Sequence, residues 1–462
     1  MSVHGPLGAA ETGVGEITAS AIDVRAPALR DRLGLLGVAG LVLTTMLVAV
    51  GAAHTDALLP ETVRPLPSWL TGPFGGSGIG LGSGGVVVVL GAMFVSYAVA
   101  VRASARLSAR TVLMGIAAIH ALVLLAPPLL STDVFSYQFY GRMGNIYGAN
   151  PYTAGPHAFA LDPLFPYIGA KWFNTPTVYG PLFTALSYVM APLSIAASAL
   201  AYKAIAAGAS LGTIAIVWNA ARLRGIDPVK AVALVGLNPL VVVYGVGGAH
   251  NDLLMMLLLM AGVYMILNNR QRAGSAVMVG AAAIKLTAGV MLAFAIASGG
   301  GRRARDRRRD VLLGASAAAA MVVGLSFLWF GDGPLHLFAT VKKVQSEGDW
   351  HSIPGFIGAR LGGSFGHVTG IVLGVAFLAL CCWLLRRVWR GQLDWIDAGA
   401  WTAAALLITA SSLLPWYVAW LIPLAALATD RRLWRVAIVT TEVVGAIQLL
   451  GYIPHGTTLL GL

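Results

Sequence analysis

Charge is what this sequence is short of. Asp, Glu, Lys and Arg make up 11% of its 462 residues, against about 25% in ordinary soluble domains. So few charges cannot clothe a water-facing surface of this size, which excludes a soluble globular protein. One large soluble core is excluded as well. The apolar material, 57% of the chain, recurs as separate runs of roughly 17–25 residues, the length that spans a bilayer. Cysteine is nearly absent. Cys381 and Cys382 stand side by side inside an apolar run, as small buried hydrophobes do, and neither a disulfide framework nor a metal-ligand spacing exists. An apolar stretch of signal-peptide type is absent from residues 1–33. Residues 1–33 are mostly polar or small, which predicts a loosely ordered cytoplasmic tail and a retained first crossing from near Gly34.

What charge there is leans basic, with a formal net charge of +12. The basic residues form no single stripe with interleaved aromatics, which argues against nucleic acid as a partner. They sit instead in short clusters between apolar runs: Arg102/Arg106/Arg110, Arg222/Arg224/Lys230, Arg270/Arg272, Arg302 to Arg309, Arg386/Arg387/Arg390 and Arg431/Arg432/Arg435. That is the pattern of cytoplasmic anchors. The apolar runs between them predict crossings at about 34–53, 83–101, 111–130, 231–247, 252–268, 311–330, 366–385, 396–414, 416–429 and 435–453. The run 275–299 is flanked by Arg at both ends. Two short helices meeting near Lys285 satisfy this better than one helix with a charge at mid-bilayer, which costs about 2.5–3.5 kcal/mol or more. For 181–222 the charges favour a shallow helix over 181–196 and one crossing over 202–221. The expectation is an all-α polytopic membrane protein with about 13 transmembrane helices, its N-terminus in the cytoplasm.

This topology makes residues 34–462 one transmembrane domain with outer loops at 54–82, 131–180 and 331–362, and with tips at His250-Asn251-Asp252, Lys285 and Leu414-Pro415-Trp416. Inner loops then carry little beyond Arg, while outer loops carry Asp, His, Asn, Tyr, Trp and Lys. Polar groups concentrated on one surface favour a reaction there over a transport path through the middle. No internal repeat of the kind that builds transporters is visible.

The segment from Ser131 to Arg142 follows directly on the third crossing and leads to the turn Asn150-Pro151-Tyr152. Asp133 is the only carboxylate between Glu61 and Asp162. On a helix starting there, Asp133, Tyr137 and Gly141 share a face. Spacing alone leaves two readings for Asp133, a helix cap or a chemical group. The tip His250-Asn251-Asp252 has the same ambiguity: Asn251 or Asp252 capping the next helix with His250 in water, or a cluster that orients a ligand with Lys285. Trp172, Tyr179, Trp350, Trp416, Tyr417 and Trp420 lie at expected outer ends, by default as an interfacial aromatic belt.

The string from Thr132 to Tyr152, TDVFSYQFYGRMGNIYGANPY, resembles the first outer loop of the actinobacterial α-1,6-mannosyltransferases that use polyprenol phosphomannose, members of the GT-C class of membrane glycosyltransferases. TPTVYGPL at Thr175 to Leu182, NPL at Asn238 to Leu240, HND at His250 to Asp252 and IK at Ile284-Lys285 follow in that family's order. The resemblance implies a GT-C fold with 13 crossings and juxtamembrane helices in the first loop. It also implies Asp133 as catalytic base, a polyprenyl-phosphate mannose donor, and a lipid-anchored mannan acceptor carrying the α-1,6 backbone of a lipoglycan on the outer face of the bacterial plasma membrane.

An inverting transfer needs one base to take the acceptor hydroxyl's proton, worth about 10²–10⁴-fold. A polyprenyl phosphate departs as a stable anion, so it needs cationic or hydrogen-bonding groups and no acid. His351, Lys285 and His250 are the candidates for the donor phosphate, ahead of Lys342 and Lys343, which suit headgroup contacts. Tyr137, Arg142, Asn251, Asp252, Tyr179 and Trp350 are the candidates for sugar and acceptor. The chemistry requires no cofactor or metal, and leaves room for a divalent cation around Glu347, Asp349 and His351. The competing readings are a GT-C transferase for another lipid-linked sugar such as arabinofuranose, and a flippase for a lipid-linked saccharide. Oligomeric state is not legible.

Overall fold

The computed structural model describes residues 16–298, 304–346 and 351–452, with side chains from residue 32 onward. Among the described residues all regular structure is helical. α1 (Glu16–Gly51) and α2 (Ser83–Ala103) pack along each other, joined by a chain of short 3₁₀ turns over 52–74. α3 (Ala109–Leu125) starts at Ser108, whose hydroxyl accepts from Thr111 N. It stops where Pro127-Pro128 can supply no amide.

α4 (Asp133–Asn145), an irregular segment over 146–180 and α5 (Pro181–Met190) come next, followed by α6 (Ile195–Leu223). α7 (Pro228–Gly236) runs into a π-helical segment, Leu240–Val246, bent from it by 44°. Asn238 holds this break. Its side-chain oxygen accepts from Leu240 N (2.9 Å) and Val241 N (3.3 Å), and its amide donates to Tyr97 Oη (3.1 Å) and Thr441 Oγ1 (2.9 Å). α8 (Asn251–Leu267) and α9 (Gln271–Ile284) form a tight hairpin, and α10 (Gly289–Ala297) continues from α9 after a break at Lys285. α11 (Ala304–Phe330), α12 (Leu337–Ser346), α13 (Ile353–Leu361), α14 (Gly363–Trp389), α15 (Trp395–Thr409), a 3₁₀ turn at Pro415–Trp420, α16 (Ile422–Ala426) and α17 (Arg431–Leu450) complete the chain.

Among the described residues six helices are long and apolar enough to cross a bilayer, seven if the bent pair at Pro228–Val246 is one span. Many of their large apolar side chains face outward. On α14, Val368, Ile371, Val372, Val375 and Leu378 are each more than half exposed, a surface too apolar to be left to water. The protein is a multi-pass membrane protein. The helix breaks at Lys285, where the sequence places the meeting of two short helices; the helix expected over 181–196 ends earlier, at Met190, and the one expected over 202–221 starts earlier, at Ile195. Further expected crossings correspond to apolar helices shorter than 18 residues, among them Ala109–Leu125, Asn251–Leu267 and Trp395–Thr409.

The helices separate two sets of polar contacts. Arg224 pairs with Asp394 (3.0 Å) and donates to Leu427 O (2.7 Å), and Arg272 pairs with Asp310 (2.7 Å). These contacts lie at the ends of α6, α8, α9 and α14 that bear the arginine clusters. Asp133, His250, Asp252 and Lys285 lie at the other ends, because Asp252 opens α8 while Arg270 follows its close, and Arg272 opens α9 while Lys285 follows its close.

Candidate active site

The first element of the site is the start of α4. Lys203 of α6, fully buried, donates to Ala126 O and to Pro127 O (3.2 Å), carbonyls left open where α3 ends. The chain then passes through Leu130 at φ 62°. Leu129 N donates to Gly247 O (3.0 Å) and Leu130 N to Leu58 O (3.1 Å). Asp133 occupies the first turn of α4 but does not cap it: Thr132 holds the N-cap position with no side-chain cap bond. Tyr137 and Gly141 share Asp133's face, as their spacing requires. The close approach of α5 explains the glycine, because a Cβ at Gly141 would lie 2.1 Å from Ser187 O.

The second element is the turn after the π segment. Gly247-Gly248 is followed by Ala249 at φ 57°, a left-handed conformation that costs a non-glycine residue about 1–3 kcal/mol. The turn swings His250 inward. Expected in water under one reading, its side chain is buried, lies flat on Trp416 at 3.4 Å between ring centres, and brings Nδ1 to 3.3 Å from Asp133 Oδ2. The contact is electrostatic in range but off the line of a hydrogen bond. Neither Asn251 nor Asp252 caps α8, since the N-cap residue is His250, without a side-chain cap bond. Asn251 N donates to Tyr137 Oη (3.4 Å), tying α8 to α4.

The third element is the α9–α10 break. Gly180 N donates to Ile284 O (2.9 Å), and a Cβ at Gly180 would lie 2.2 Å from Ala283 O, so only glycine lets this strand of chain approach. Lys285 Nζ donates to Asp252 Oδ1 (2.7 Å) and lies over the faces of Tyr417 (4.5 Å) and Trp420 (5.1 Å). Trp420 Nε1 donates to the same carboxylate oxygen (2.7 Å).

The structure thus brings Asp133, His250, Asn251, Asp252, Lys285, Tyr137 and Tyr179 into one cluster. Tyr179 packs edge-on to Tyr137 at 4.9 Å. Arg142 is elsewhere. Its guanidinium pairs with Asp162 (2.8 Å), which also accepts from Tyr147 Oη (2.6 Å) and Leu164 N (2.8 Å), bracing the irregular segment. Burial raises the Asp162 carboxyl's pKa, but the bonds from Arg142, Tyr147 and Leu164 outweigh it and hold it below the ordinary aspartate range. His351 is half-buried, and its neighbour Ser352 donates to Ser411 O (2.7 Å), five residues before Trp416. Trp350, Glu347 and Asp349 lie outside the described residues. Among the described residues no three His, Cys, Asp or Glu side chains gather as metal ligands.

Sequence reasoning placed Trp416 and Trp420 in the aromatic belt and missed that they close over His250 and Asp252. Their i, i+4 spacing behind Pro415 was the available signal. Among the described residues, four buried polar atoms of the cluster have no hydrogen-bond partner: both side-chain amide atoms of Asn251, Asp252 Oδ2 and His250 Nε2. Each such atom costs about 1–3 kcal/mol. Four in one cluster call for an explanation beyond packing. Asp133, with 17% of its side chain exposed, is the carboxylate a solute reaches; Asp252, at 1%, is sealed.

Residues 31–299 match the family model described as "Alpha-(1->6)-mannopyranosyltransferase, N-terminal domain", and residues 356–461 match one described as "MptB C-terminal domain". An alpha-(1->6)-mannopyranosyltransferase of Mycobacterium tuberculosis is 33% identical over 145 residues, 29% of this chain and 23% of the relative. Alpha-(1->6)-mannopyranosyltransferase A of Corynebacterium glutamicum is 29% identical over 138 residues, 29% of this chain and 27% of the relative. The enzyme of that same name in Mycobacterium tuberculosis is 28% identical over 346 residues, 67% of this chain and 64% of the relative. The chain therefore spans about a quarter of the length of the first relatives and just under two thirds of the last. The N-terminal model alone covers more than half the chain and contains every member of the Asp133 cluster apart from Trp416, Tyr417 and Trp420: the protein belongs to the alpha-(1->6)-mannopyranosyltransferase family.

Proposed function

We propose that this protein is an inverting mannosyltransferase that moves mannose from a polyprenyl-phosphate donor to a lipid-anchored mannan on the outer face of the bacterial plasma membrane. The observation that carries the reading is the Asp133–His250 contact at 3.3 Å, set at the partly open edge of a buried polar cluster. Family membership supports mannosyl transfer. The six long helices, the bent pair and the shorter apolar helices other than Pro181–Met190 make twelve spans, and α9 counted as a further short crossing gives the thirteen of a GT-C topology over 34–462. The arginine ends then face the cytoplasm and the Asp133 cluster faces outward.

In this mechanism Asp133 accepts the proton of the acceptor hydroxyl as its oxygen attacks the anomeric carbon. The bond from that carbon to the phosphate oxygen breaks on the opposite face, and polyprenyl phosphate leaves as an anion. An α product formed with inversion requires a β-linked donor. His250, fixed by Trp416, holds the Asp133 carboxylate in line, so its buried ring suits this role better than a phosphate contact. Lys285 offers its ammonium to the donor phosphate, with His351 as a second donor from the Ser411 side. Asp252 and Trp420 fix the lysine. Asn251, Tyr137 and Tyr179 face the sugar. Arg142, engaged by Asp162, supports the loop and not the sugar.

The test is donor-specific turnover by the purified full chain with a short mannan acceptor. Polyprenyl phosphomannose should give product and polyprenyl phosphoarabinofuranose should not. Product only from the second donor would overturn the sugar, and product from neither would overturn the enzyme.

A further inference from the structure

The arginine end carries a pocket that the transfer chemistry does not use. Residues 305, 308, 309, 312 and 313 of α11 stand at i, i+3, i+4, i+7 and i+8, one face of a helix. That face, closed by Trp389 at the end of α14, lines an open pocket of about 580 Å³. Its polarity is graded along the helix: three guanidinium groups, then Leu312 and Leu313 about one turn, or roughly 5–6 Å, deeper toward the membrane-spanning part.

The three arginines differ in what they do. Arg308 lies 3.6 Å from the centre of the Trp389 ring and donates to Ala297 O (3.3 Å) and Trp389 O (3.4 Å), so it ties the ends of α10, α11 and α14 together. Arg305 and Arg309 are exposed. Of the acidic residues nearby, Asp310 is engaged by Arg272 at 2.7 Å on the other flank of the helix, and Asp306, exposed, stands in the first turn between Arg305 and Arg309. Trp389, half exposed, is the residue type that settles at headgroup level.

We propose that this pocket binds an anionic phospholipid, with Arg305 and Arg309 on the phosphate and the upper acyl chain along Leu312 and Leu313. A free phosphate ion would use the guanidinium groups but leave the leucine wall without purpose. Three guanidinium groups against the single carboxylate of Asp306 leave this end of α11 net positive, which favours an anionic headgroup over a zwitterionic one. The inference rests on the basic pocket at the helix ends and is independent of the proposed sugar chemistry.

The test is native mass spectrometry of the full chain in neutral detergent, titrated with dioleoyl phosphatidylglycerol or dioleoyl phosphatidylcholine. Phosphatidylglycerol should be retained preferentially. R305Q/R309Q should weaken it about thirtyfold, the product of two charges near a membrane surface, with phosphatidylcholine unaffected. R305K/R309K keeps both charges and should restore most of the binding, which separates lost charge from lost folding. Three results would overturn the proposal: no preference for the anionic lipid; an equal loss from R431Q/R432Q, a basic pair elsewhere; or displacement of the lipid by inorganic phosphate at equal concentration.

Discussion

Removing Lys285 should unsettle the site in a way that removing Asp252 as well does not. In Lys285→Met the Asp252 carboxylate, 1% exposed, keeps the hydrogen bond from Trp420 Nε1 and loses its ion pair with Lys285. Stripping one partner from a buried pair costs about 3–5 kcal/mol, because the remaining charge is left uncompensated. Asp252→Asn is milder. It retains an acceptor for Trp420, and the lysine stays over Tyr417 and Trp420 with 19% of its side chain reaching solvent, so about 1–3 kcal/mol is expected. The double variant carries neither charge. It should be more stable than Lys285→Met alone, with a coupling of about 2 kcal/mol or more against the sum of the singles. Unfolding midpoints of the four proteins in one detergent measure this. A Lys285→Met protein as stable as the parent, or a double variant as unstable as the sum, would refute the buried-pair account.

Other consequences follow from the same geometry. Asn251→Leu replaces a buried amide that has no partner, so the unfolding midpoint should hold or rise while sugar transfer falls about tenfold or more; lost stability with full transfer would contradict the binding role. The depressed Asp162 carboxyl contributes stability that is complete above the ordinary aspartate pKa of about 3.9 and is lost as pH falls through its lower folded value. Asp162→Asn should therefore lower the unfolding midpoint at pH 7, and the gap to the parent should narrow as pH drops below about 4. A gap that stays constant from pH 7 to pH 3 would show that the ion pair with Arg142 does not stabilise the loop.

The membrane architecture was legible because it rests on simple competition between apolar length and arginine placement. The break at Lys285 is the clearest case: two arginine clusters flanking one apolar run allow no single crossing, and the structure breaks the helix there. Asp133, Tyr137 and Gly141 on one face followed from helical spacing. What escaped depends on contacts between distant parts of the chain. No period in the sequence foretells that Ala249 turns left-handed and carries His250 into the interior. Nor does one foretell that Arg142 meets Asp162 across an irregular segment. Trp420 reaches Asp252 across 168 residues, and at a helix end it looks like any interfacial aromatic. Asn238, which fixes the bend before the His250 turn through Tyr97 and Thr441, reads in sequence only as part of an Asn-Pro turn.

The central claim is that Asp133 is the base and His250 holds it in line, and Asp133→Asn tests it most directly. The substitution keeps size and position while removing the proton acceptor. In a reconstituted assay with polyprenyl phosphomannose, donor binding should be retained and turnover should fall by about two orders of magnitude or more. Turnover close to the parent's would contradict the account, leaving Asp133 as no more than the first residue of α4.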